Sequence, residues 1–62
     1  MDGDKKARFM KVYSDLPINI RREVISIIDT EPISWNVAFY EIKNETELGE
    51  KILNNLISLG FI

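Results

Sequence analysis

The sequence contains no cysteine and no histidine. Without cysteine there is no disulfide and no thiolate ligand or nucleophile. Without histidine, Ser14, Ser26, Ser34 and Ser58 have no imidazole to act as general base. A metal site would have to be built from carboxylates alone, which suit hard cations rather than zinc, copper or iron. The three glycines, Gly3, Gly49 and Gly60, are too far apart to form a phosphate-cradling loop. No apolar run is long enough to span a membrane. The opening Met1-Asp2-Gly3-Asp4-Lys5-Lys6 has no apolar stretch behind it, so it does not read as a signal peptide. These absences point away from an enzyme, a cofactor or a small-molecule substrate, and toward a cytoplasmic protein.

What is present is a one-domain chain of 62 residues, 45% of them hydrophobic. A chain this short buries only about 60% of the surface its unfolded form exposes. With disulfides excluded, tight helix packing or self-association has to stabilise it. The net charge of −2 gives no general attraction to nucleic acid. Its distribution is uneven. Residues 1–22 carry six cations against three acids, and residues 23–62 carry seven acids against two cations.

The expected fold is all-α: a small bundle of three to four short helices with a helix-turn-helix-like C-terminal half. Residues 1–4 are expected to form a flexible N-terminus and residues 5–62 a single helical domain. In the first helix, Phe9, Val12, Tyr13 and Leu16 recur at helical spacing, and Pro17 stops it at Leu16. A second helix is expected over about residues 17–28, with Ile20, Val24, Ile27 and Ile28 inward. The β-branched run Val24–Ile28 also suits a strand. The helix-start signals from Pro17 to Glu23, and the lack of an evident partner strand, favour helix. Asp29–Pro32 reads as a connector.

Ser34 is an N-cap for a third helix over residues 35–43, with Ile33 and Ala38 placed for a hydrophobic staple. Asn44, with Glu47 three residues on, reads as the cap of a fourth helix running to about Leu59. Gly60 takes the left-handed stop position, with Phe61 beyond it. Gly49 weakens that helix by itself and marks a point where another backbone can come close.

The acids offer little chemistry. Glu45, Glu47 and Glu50 match the dipole of a helix start. Asp29 with Glu31, and Asp2 with Asp4, are too few to form a cation loop.

More informative are the apolar residues outside the main stripes. Ile18 and Ile25 lie off the inward face of the second helix, and Val37 and Tyr40 off that of the third. A surface helix normally keeps its opposite face polar, so these four are the expected protein-contact residues. Trp35, Phe39, Leu56 and Phe61 are expected in the core. The primary reading is a non-enzymatic interaction module that forms a homodimer or docks on another protein.

The segment Ser34–Ile62 also resembles the helix-turn-helix half of winged-helix regulators. It has the cap Ser34, a second helix carrying Leu53, Leu56 and Leu59, and the step Leu59-Gly60-Phe61. That resemblance implies a small DNA-binding regulator as the alternative function. The start of the would-be recognition helix holds Glu45, Thr46, Glu47 and Glu50, with Lys51 its only cation. The contact set for DNA would therefore be Lys5, Lys6, Arg8 and Lys11 on the first helix.

Overall fold

The computed structural model covers residues 1–62. Its elements are α1 (Gly3–Asp15), a 3-10 turn (Ile20–Arg22), β1 (Val24–Ile28), β2 (Glu31–Ser34), α2 (Trp35–Lys43) and α3 (Glu47–Ser58). The all-α expectation is corrected by this. Three helices and a two-stranded antiparallel hairpin make a mixed α/β fold.

Helix α1 starts at Gly3, two residues before the expected helical domain does, because Asp2 caps it. The Asp2 carboxylate accepts from the amides of Asp4 at 2.9 Å and Lys5 at 3.2 Å. The Lys5 amide first, then that of Asp4, holds this carboxyl below its ordinary value. The cap is thus formed at neutral pH and is lost only as acidification passes that lowered pKa. At the other end Leu16 closes α1 with extended backbone, as Pro17 requires of the residue before it. Phe9 is fully buried, and Val12, Tyr13 and Leu16 pack partly around it.

The segment expected as a second helix does not form one. Pro17 opens a turn and one 3-10 turn, and Val24–Ile28 is a strand. Its partner is Glu31–Ser34, which takes in the end of the stretch read as a connector and the cap residue Ser34. Asp29 and Thr30 both have positive φ, 50° and 70°, as a two-residue type I′ turn demands. Lys51 on α3 holds the turn, with its ammonium 3.2 Å from Asp29 Oδ2. Ile28 pairs with Glu31, Ile27 with Pro32, Ser26 with Ile33 and Val24 with Ser34. The register slips between Val24 and Ser26, which makes Ile25 a bulge. In a two-residue hairpin the pair next to the closing one exchanges no ladder bonds, so Pro32 sits where no N–H is needed.

The α2–α3 corner is more constrained than the sequence shows. Ser34 Oγ accepts from the Val37 amide at 3.2 Å, the expected cap. Ile33 and Ala38 are both buried at the staple positions. Helix α2 ends with Glu45 in the left-handed region at φ 52°. The amide of Thr46 donates to Glu41 O at 3.1 Å and that of Glu45 to Ile42 O at 3.1 Å, a Schellman closure without glycine. Thr46, not Asn44, caps α3, its Oγ1 accepting from the Gly49 amide at 2.9 Å. Asn44 instead turns back to donate to Tyr40 O at 2.8 Å. Helix α3 ends as its sequence indicates. Gly60 has φ 81°, and the Phe61 amide donates to Leu56 O at 2.9 Å.

The core is Phe9, Ile33, Trp35, Ala38, Ile42, Ile52, Leu53 and Leu56. Aromatic rings continue it to the rim. Phe9 lies 5.9 Å from Trp35 and 6.1 Å from Tyr13, and Tyr13 stacks on Phe39 at 4.4 Å. The Arg21 guanidinium covers Tyr13 at 4.4 Å, and its buried Nε has no hydrogen-bond partner. Two core expectations shift outward. Phe39 is half-buried, and Phe61 is 46% exposed although its ring meets Trp35 edge-on.

Candidate functional site

The surface opens no cavity, and no three acidic side chains converge on one point. What distinguishes the exterior is apolar side chains that the core leaves out. Tyr40 is 65% exposed, Val37 41%, Ile27 70%, Val24 58% and Ile18 72%.

Strand geometry places two of these, Ile27 and Val24, on one face, and helical spacing places Val37 and Tyr40 on one side of α2. Ile33 points into the core, so Pro32 and Ser34, one residue to either side, point out. Ile27 lies directly across from Pro32, and Val24 across from Ser34. Directly opposed residues share a face. The hairpin's outer face therefore carries Ile27, Pro32 and Val24. Ser34 closes this face and caps α2 through the Val37 amide. Val37 follows immediately, and Tyr40 stands one turn further along the same side. The opposite side of α2 holds Trp35, Ala38 and Ile42, all buried.

The four expected contact residues are thus divided. Val37 and Tyr40 lie together on one side of α2. Ile25 occupies the bulge, half-buried against the core, and Ile18 stands on the turn after α1. Val24 and Ile27 were expected inward and are exposed, because strand alternation rather than helical phase sets their direction. The run of β-branched residues was the signal that could have found them.

The basic set of α1 is arranged differently. Lys5, Arg8 and Lys11 follow one another at three-residue spacing, with Lys6 to the other side. Asp4 and Asp15 share the same face, four residues from Arg8 and Lys11. Arg8 Nη2 donates to Ile62 O at 2.9 Å. Lys6 is paired with Glu45 Oε2 at 3.2 Å and lies 3.4 Å from Lys43 O. Two of the four cations are therefore engaged within the fold. The exposed side of α3 shows Glu47, Glu50, Asn54, Ser58 and Lys51, and Lys51 is paired to Asp29.

No known protein family, characterised protein or solved structure matches the chain. No helix is long and apolar enough to cross a membrane.

Proposed function

We propose that the protein is a non-enzymatic, self-associating interaction module of the cytoplasm whose contact surface is formed by Ile27, Pro32, Val24, Val37 and Tyr40. The observation that carries this is the exposure of Ile27 and Val24 on the hairpin's outer face and of Val37 and Tyr40 on the helix that follows it. Hairpin and following helix each leave apolar residues uncovered, whereas α3 exposes Glu47, Glu50, Lys51, Asn54 and Ser58 up to its C-cap Leu59, which is 58% exposed. A surface that had only to stay in water would not need this asymmetry.

The surface area indicates what kind of association to expect. The chain exposes 4029 Å², and a compact monomer of 7.2 kDa exposes about 4,100 Å². The fold is thus closed without a partner and is not half of a divided core. A weak, reversible contact fits this better than an obligate one.

Replacing Tyr40 with aspartate places a charge on that contact surface. Size-exclusion chromatography with light scattering at high micromolar concentration should show wild type above the monomer mass and Tyr40→Asp at 7.2 kDa. Both proteins should melt within a few degrees of each other, because Tyr40 is outside the core. Wild type and variant of equal mass would refute the proposal. The helix-turn-helix alternative predicts instead salt-sensitive binding to duplex DNA that is lost on changing Lys5 or Lys11.

A further inference from the structure

We infer that the segment following α3, Leu59–Ile62, is a latch that closes over Trp35, with Arg8 as its catch and Asp4 as the competing partner that releases it. This concerns a different part of the molecule from the proposed contact surface and does not depend on it. Three contacts hold the closed position. The Phe61 amide donates to Leu56 O at 2.9 Å and turns the chain back at the end of α3. The Phe61 ring then meets Trp35 edge-on, with centroids 6.2 Å apart. Arg8 Nη2 reaches across from α1 and donates to Ile62 O at 2.9 Å. Ile62 packs partly against the core, and Trp35 beneath is buried. The segment thus joins α3 to α1 across the indole.

Its hold is slight. Leu59, Gly60 and Phe61 are all exposed, and none belongs to the buried core. Gly60 has positive φ, and no atom lies within 4 Å of where a β-carbon would stand, so the backbone can swing there without collision. Segments with few buried contacts open locally while the rest of a fold stays closed. Arg8 decides the position because it stands at a fork. Asp4 lies four residues before it on α1, and both are exposed. Acid before base at that spacing is the favourable order for a helical ion pair. The fold's ion pairs are Lys6–Glu45 and Lys51–Asp29, so Arg8 holds the Ile62 carbonyl and the Asp4 carboxylate has no cation. An Arg8 that turns to Asp4 gains a pair, releases Ile62 and lets Phe61 lift from Trp35.

Hydrogen exchange on the full chain, followed by nuclear magnetic resonance, tests this with wild type, Arg8→Ala and Asp4→Asn. The Phe61 amide reports the latch, and the Leu53 amide in the buried part of α3 reports the fold. Phe61 exchange should be flat in low urea while Leu53 exchange climbs, because only the second requires unfolding. Arg8→Ala should speed Phe61 exchange about fivefold, the loss of one hydrogen bond. Asp4→Asn should slow it about 1.5- to 2-fold, since the competing pair is worth about that much. Acrylamide quenching of Trp35, the only tryptophan, should rise in Arg8→Ala at unchanged helix content. Phe61 exchange that climbs with urea like Leu53, or that Arg8→Ala leaves unchanged, would overturn the latch, as would unchanged Trp35 quenching in that variant. Phe61 exchange no slower in Asp4→Asn than in wild type would overturn Asp4 as the releasing partner.

Discussion

Gly49→Ala should lower the melting temperature by about 8–16 °C, the equivalent of about 2 kcal/mol in a domain of this size. Considered alone, the substitution favours the helix: alanine in a helix interior is better than glycine by about 0.8–1.0 kcal/mol. The fold reverses the sign. A β-carbon at Gly49 would lie 2.3 Å from the Glu41 carbonyl oxygen, 2.6 Å from its carbon and 2.9 Å from the Ile42 nitrogen. These are backbone atoms and cannot rotate aside. The same carbonyl accepts the Thr46 amide that closes α2, so relief would require opening the α2–α3 corner. Overpacking of this kind costs about 1–3 kcal/mol, sometimes more, and contact with backbone belongs at the upper end. Thermal denaturation followed by circular dichroism measures the effect. An unchanged or raised melting temperature would show that the two helices are not so close.

Phe9→Ala should have the larger effect. Phe9 is the one fully buried side chain that α1 contributes, and it stands between Trp35 of α2 and Tyr13 of its own helix. Truncating a buried phenylalanine costs about 3–5 kcal/mol. A chain of 62 residues has a total stability of roughly 3–9 kcal/mol at the usual value per residue. The variant should therefore be largely unfolded at 25 °C, or melt about 15–30 °C below wild type. Trp35 fluorescence reports the change directly, because the indole loses its neighbour. A variant with native helix content and a melting temperature within a few degrees of wild type would mean that α1 is not anchored through Phe9.

Much of the helical framework is legible in the residues. The spacing of Phe9, Val12, Tyr13 and Leu16, the cap Ser34 and the stop Gly60 each act through local chemistry, and each is where the sequence places it. The stretch from Pro17 to Ile28 is not, because the deciding interactions are non-local. The strand Val24–Ile28 needs Glu31–Ser34 as its partner, and that partner is short and contains Pro32, a residue that normally argues against a strand. The turn between them uses Asp29 and Thr30 at positive φ, where Asn-Gly or Asp-Gly would have announced a hairpin. Glu45 is similar: a left-handed helix stop without glycine gives no signal. Of the candidate surface, Val37 and Tyr40 could be read because they share the period of α2. Ile27 and Val24 depended on reading their β-branched run as a strand, since a helix and a strand turn the same residues to different sides.

The most direct test of the contact surface is amide chemical shifts followed by nuclear magnetic resonance as the protein is diluted from millimolar to low micromolar concentration. Concentration-dependent shifts are expected at Val24, Ile27, Val37 and Tyr40. Glu47, Glu50, Asn54 and Ser58 on the polar side of α3 should stay fixed. Spectra that do not change on dilution, or changes confined to α3 or α1, would contradict the account.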